Sequence, residues 1–127
     1  MKITDVKVHI LQSQLDQPFA FSQGWVTVRS ATIIEVQTDS GLVGWGEAFS
    51  QGLESPQVAA SAIEHSLKPM LLGQNPTDTE VLWNKMYNQT RDFGRKGSVM
   101  AAISGVDIAL WDIAGKFYDV PVSQLLG

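Results

Sequence analysis

Few residues of this chain have the types and spacing that catalysis requires. The two histidines, His9 and His65, fall in different kinds of segment, and no spacing brings them together. Glu64 precedes His65, but neighbours one apart on a helix do not face each other. Both histidines read as structural, either exposed or hydrogen-bonded. No cysteine is present, which excludes thiolate chemistry, a disulfide scaffold and cysteine-ligated zinc. The glycines Gly41, Gly44 and Gly46 lie in a predicted hairpin and do not open a helix, so the context of a phosphate loop is missing. Glu35 and Glu47 fall on adjacent predicted strands and can approach each other. An acidic metal site needs several converging oxygen ligands, and without a third carboxylate the pair reads as structural.

Two segments stand out by a different chemistry. The first, residues 15–24 (LDQPFAFSQG), carries Phe19, Phe21 and Gln23, and Trp25 follows it. The second, residues 49–55 (FSQGLES), starts at Phe49. Both read as loops, and loops normally run over the surface. Aromatic side chains there either fold back onto their own sheet or form a lid that keeps water from a site elsewhere. Ser22, Gln23, Ser50 and Gln51 suit a polyol, whereas Phe19, Phe21 and Phe49 suit an apolar or aromatic ligand.

The elements that position these segments are legible. Val6, Val8 and Ile10 alternate with Asp5, Lys7 and His9, the period of a half-buried strand. Residues 26–38 form a second strand rich in Val, Ile and Thr. Asp39-Ser40-Gly41 turns it into a return strand over residues 42–48, on which Gly44 and Gly46 share a face open to close approach. Three helices follow. Ser55-Pro56 starts the first, which Pro69 stops or tightens. Thr77 and Glu80 match a capping box for the second. Ser98 caps a third that runs to about Phe117. The reading is an α+β domain, a three-stranded antiparallel β-meander followed by three α-helices.

The third helix is apolar nearly all round. Between Ala101 and Phe117 its only charges are Asp107, Asp112 and Lys116. Such a helix is buried on more than one side. Ala101, Gly105, Ala109 and Asp112 form a row of small or short residues along which another backbone can come close. Asp112 and Lys116 can pair at i,i+4. Asp107, beside Ile103, Trp111 and Ala114, needs a partner if it is buried. The helix calls for more protein than one small chain supplies.

The 127 residues set one domain, too short for a (β/α)₈ barrel of roughly 250 residues. With 44% hydrophobic and 17% charged residues the chain is globular, not disordered. Nine basic and 13 acidic residues give a net charge of −4, so no basic field exists for nucleic acid or an anionic membrane. No uninterrupted apolar run approaches about 18 residues, the length of a bilayer span. The N-terminus has no signal-peptide core. Lack of cysteine fits a cytoplasmic protein.

Residues 102–127, AISGVDIALWDIAGKFYDVPVSQLLG, resemble the N-terminal signature of the mandelate racemase and muconate lactonising enzyme family of the enolase superfamily. The likeness runs through Ala102, Gly105, Asp107, Asp112, Lys116, Pro121 and Gly127 with no departure. TDSGLVGWGEA at residues 38–48 is similar to the family's hairpin. The resemblance implies an N-terminal capping domain over residues 1–127 and a partner C-terminal TIM barrel that is not in this sequence. It also implies Mg²⁺ held by acidic barrel residues, and abstraction of a proton α to the carboxylate of a small-molecule substrate. Residues 15–24 and 49–55 then correspond to the two mobile loops that close over the barrel. Phe19, Phe21, Gln23, Trp25 and Phe49 become the candidate substrate-facing residues, and no catalytic or metal-binding residue is expected here. The implied parent is an acid-sugar dehydratase, or a racemase or cycloisomerase, assembled as a homo-oligomer. The alternative is a stand-alone binding or assembly domain reusing the same fold.

Overall fold

The structure is a computed structural model that describes residues 1–50 and 52–127. Strands β1 (Ile3–Phe21), β2 (Gly24–Thr38) and β3 (Val43–Ala48) form an antiparallel sheet in the order β1-β2-β3. The helices α1 (Pro56–Ala62), α2 (Lys68–Leu71), α3 (Thr79–Gly94), α4 (Ser98–Tyr118) and α5 (Val122–Leu126) follow, with a π-helical turn (Ile63–Leu67) joining α1 to α2. The meander-then-helices architecture is the one the sequence predicts.

Local details differ from the sequence reading. Pro69 does not stop the first rod. Lys68 N–H reaches back five residues to Ile63 O in the π turn, and Pro69, with no N–H to give, follows directly. The rod ends instead at Leu72 and the left-handed Gly73. Thr77 lies outside α3, whose N-cap is Asp78, so the capping box does not form. Ser98 is the first residue of α4, not its cap, and its hydroxyl donates to the Glu54 carboxylate. Ser55 is the N-cap of α1, but its hydroxyl is taken by the Gln57 side chain. A one-turn α5 adds a fourth helical piece after the left-handed Asp119.

One sheet face carries the helices. Ile34 and Val36 of β2, Val6 of β1 and Ala48 of β3 meet Ile103, Val106, Leu110 and Ile113 of α4, all fully or almost fully buried. Burial of each of the Val, Leu and Ile side chains among them contributes about 1.5–3 kcal/mol. Gly44 and Gly46 make the closest approach possible. A Cβ on Gly46 would stand 2.0 Å from Gly105 O, and one on Gly44 2.1 Å from Ala109 O. The small residues of strand and helix are therefore complementary halves of one backbone-to-backbone contact.

The same helix closes the free edge of β3. Trp45 N–H donates to Asp112 Oδ2 at 2.9 Å, and Lys116 Nζ donates to Val43 O at 2.7 Å. Lys116 also holds Asp112 at 2.6 Å, the expected i,i+4 pair. Asp112→Ala removes one acceptor from two donors. It is expected to lower stability by about 1 kcal/mol, since both donors are solvent-accessible, and urea unfolding measures this.

Two carboxylates are tuned by neighbours. The Lys68 ammonium, 2.5 Å from Asp5, holds the Asp5 carboxyl below its ordinary range, and the Val6 N–H assists. Hydrogen bonds from the Gln37 amide and then from His9 hold Glu35 low. A folded-state value below the unfolded one adds stability above the unfolded range and loses it as pH falls through the folded value. Asp5→Asn is expected to lower the melting temperature at neutral pH, to match the parent in strong acid, and so to flatten the acid side of the melting-temperature profile.

With 21 residues, α4 is long and apolar enough to cross a membrane. Here it is the core helix: Ile103 is fully enclosed by the chain's own sheet and helices. Its inner side thus needs no further protein, while on its outer flank Ile108 is 52% exposed and Trp111 half-buried.

Candidate functional site

Residues 15–24 are not a loop. β1 and β2 stay paired as a ribbon out to Phe21 and Gly24, turning at Ser22-Gln23. Asp16, Gln17 and Pro18 suggest a loop, but the ribbon absorbs them as a bulge. Between the pairs Gln14↔Val28 and Phe19↔Val26, β1 advances five positions and β2 two. Pro18 falls where no ladder bond is lost.

Of residues 49–55, those described do leave the sheet, and Gly52 and Leu53 pack against this ribbon. Val26 is 1% exposed, and a Cβ on Gly52 would stand 2.6 Å from its Cγ2. Leu53 lies against Gly24. The two predicted segments are thus brought together, with two clefts beside the base of the ribbon. One, of ≈ 460 Å³, is lined by Leu11, Ser13, Arg29, Glu47, Phe49 and Ser50 among others. The other, of ≈ 330 Å³, includes Trp25, Leu53, Glu54 and Gln57. Gln51 lies outside the described residues.

Of the candidate residues, Phe49 lines the first cleft and Trp25 the second. Phe19 pairs with Val26, one step inside Trp25, and Phe21 and Gln23 lie at the ribbon's tip. Phe19 sits beneath the Arg29 guanidinium, 5.6 Å from ring centroid to Cζ, and Phe21 is half-buried. Phe19, Trp25 and Phe49 remain largely exposed. Trp25 and Phe49 project from the sheet, whereas Phe19 rests against Arg29 of its own ribbon. Sequence reasoning missed Arg29, Leu11 and Ser13. Arg29 sits in an alternating strand and reads there as an ordinary solvent-facing charge. Only the ribbon's continuation past the helical layer makes it part of a cleft.

Glu35 and Glu47 do not act as a pair. Glu35 accepts from His9 and Gln37, and His9 also leans on the Trp45 ring at 5.8 Å. Glu47 stands opposite Ile33 and faces the first cleft. His9 is thus a structural, hydrogen-bonded histidine. No three His, Asp or Glu side chains converge among the described residues.

The sheet thus backs onto helices on one face and projects an aromatic ribbon beside the two clefts. Residues 3–127 match the family described as mandelate racemase / muconate lactonizing enzyme, N-terminal domain, and the chain belongs to that family. It is 41% identical over its full length to D-galactarolactone cycloisomerase of Agrobacterium fabrum, of which it covers 32%. It is 48% identical over 94 residues (73% of this chain, 24% of the relative) to arabinonate dehydratase of Saccharolobus solfataricus. Among solved structures, the 3,6-anhydro-D-galactonate cycloisomerase of Zobellia galactanivorans superposes with a TM-score of 0.85 at 36% identity. That match covers all of this chain and 32% of the other. The chain spans a third or less of the length of these relatives, in which the domain sits with a C-terminal barrel.

Proposed function

We propose that residues 1–127 are the capping, specificity-setting domain of a cytoplasmic Mg²⁺-dependent enzyme that abstracts the proton α to a sugar-acid carboxylate. We assign the parent reaction to dehydration, with cycloisomerisation or racemisation as the related outcomes. The observation that carries this reading is the packing of Gly52 and Leu53 against the ribbon beside two clefts, one mainly apolar with Arg29, Glu47 and Ser50 in its wall and one mainly polar, with Trp25 and Phe49 exposed at them. An α-proton beside a carboxylate is very weakly acidic, so its removal needs a dry site with concentrated positive charge. Phe19, Trp25 and Phe49 supply the water-excluding surface. Arg29, Ser13 and Ser50 supply donors for a polyol acid. The names of the relatives, acting on galactarolactone and arabinonate, support a sugar acid or its lactone. Exposed Val81 and Phe93 on α3 offer apolar surface for a homo-oligomeric contact.

The test is a chimaera in which residues 1–127 replace the N-terminal third of the Agrobacterium cycloisomerase. The chimaera is expected to exchange the α-proton of sugar acids for deuterium when Mg²⁺ is present, and the 127-residue chain alone to show no exchange. Turnover by the chain alone, or a folded chimaera without exchange, overturns the reading.

A further inference from the structure

The outer flank of α4, the edge of β3 and α5 enclose a groove of ≈ 520 Å³ lined by Trp45, Asp107, Ile108, Trp111, Val122 and Leu126. Its walls are apolar except for two carboxylates, and these differ in state. Asp112 is engaged by Trp45 N–H and by Lys116. Asp107 is half-buried and has no hydrogen bond or ion pair among the described residues. The cation nearest along the helix, Lys116, is held by Asp112 and Val43 O. Desolvation alone pushes the Asp107 carboxyl above its ordinary range.

We propose that this groove seats the C-terminal domain, and that a cationic side chain of that domain pairs with Asp107. The proposal rests on the capping-domain reading and names the surface through which the cap is held. Three observations select this occupant. The family relatives are about three times as long as this chain, which covers their N-terminal part. Val122 and Leu126, on the last element, form part of the groove wall, so in those relatives the polypeptide continues from its rim. Charge argues against a second copy: a two-fold contact places the same patch on both sides and would set Asp107 near another Asp107 on a chain of net charge −4. A cation opposite Asp107 instead turns a desolvated, unpaired carboxylate into a charge-assisted hydrogen bond.

Asp107→Asn gives effects of opposite sign in the two contexts. In the 127-residue chain it removes a carboxylate whose folded-state value lies above the unfolded one. Ionised Asp107 therefore opposes folding at neutral pH, and the variant is expected to melt higher than the parent. In the chimaera described above, the same change removes one member of the pair. Protease cleavage at the residue-127 junction is expected to accelerate on the order of tenfold, the factor that corresponds to a lost charged hydrogen bond. Asp107→Glu is expected to restore part of that protection. Ile108→Asp, at an exposed position of the isolated chain, is expected to leave its melting unchanged and to split the chimaera's single transition into two. Val81→Asp on α3 is expected to split nothing.

The proposal fails if Asp107→Asn destabilises the isolated chain, since the carboxylate then has an internal partner. It also fails if neither groove variant loosens the chimaera, or if Ile108→Asp lowers only the oligomer mass, which would make the groove a contact between copies. A chimaera that is inactive on sugar acids but loosened by both groove variants keeps the docking surface and removes the lid reading. An active chimaera indifferent to them does the reverse.

Discussion

Replacing Gly46 with alanine is expected to keep α4 from seating on the sheet and to unfold the domain at ordinary temperature. The added Cβ would lie 2.0 Å from Gly105 O and 2.9 Å from Ala109 N. Both are backbone atoms inside a regular helix, so no rotamer change relieves the overlap. Overpacking against yielding side chains costs about 1–3 kcal/mol, and a rigid backbone places this case at or above the upper end. A domain has only about 5–15 kcal/mol to lose. Gly105→Ala meets the same obstacle from the other side, with Ala48 N at 2.7 Å and Ile34 Cδ1 at 2.6 Å. Gly41→Ala is the contrast. At φ +83° with open space around it, Gly41 requires only a left-handed conformation, so alanine there costs roughly 1 kcal/mol. Thermal unfolding followed by circular dichroism separates the two cases. A Gly46→Ala chain that melts with the parent would disprove the close backbone contact.

The second large effect concerns the exposed aromatics. Phe19 and Phe49 are 44% and 68% exposed, so changing both to alanine is expected to leave the melting temperature of the 127-residue chain nearly unchanged. In the chimaera with the cycloisomerase barrel the same double change is expected to lower kcat/KM for a sugar-acid substrate by about 10²-fold, the scale of a lost positioning surface. Loss of activity without loss of stability separates covering a site from building a core. Equal stability with equal activity would remove both residues from the substrate-facing set.

The parts of the fold that repeat a spacing are the parts that can be read from the chain. Val6, Val8 and Ile10 alternate, and Gly44 and Gly46 recur on one strand face. Ala102, Gly105, Val106, Ala109, Leu110 and Ile113 follow a helical stripe. The glycine face and the helical stripe are buried, and of the alternating trio Val6 is buried while Val8 and Ile10 are half-buried. The features that escaped depend on three-dimensional accidents of neighbourhood. Residues 15–18 carry loop chemistry, yet they are held in a ribbon because Phe19 and Phe21 resume the ladder beyond them. Pro69 looks like a stop and is passed by a π turn set one residue earlier. The capping-box spacing of Thr77 and Glu80 is present, but Pro76 and the Asn75–Asp78 hydrogen bond shift the helix start to Thr79. At the candidate site, the aromatic residues announced themselves by being out of place in polar segments. Arg29 and Glu47 did not, because a charge on an alternating strand needs no explanation until a neighbouring segment folds over it.

The bonds from Asp112 and Lys116 to the backbone of β3 have a consequence for biosynthesis. In the longer relatives this third of the polypeptide leaves the ribosome first, and domains commonly fold in that order. During the interval before the remaining two thirds arrive, a bare strand margin would template pairing with nascent neighbours. Having its last strand sealed by its own helix closes that margin of the early-made portion and leaves β1 as the sheet's other edge. The apolar trough beside it stays open for the late-arriving remainder.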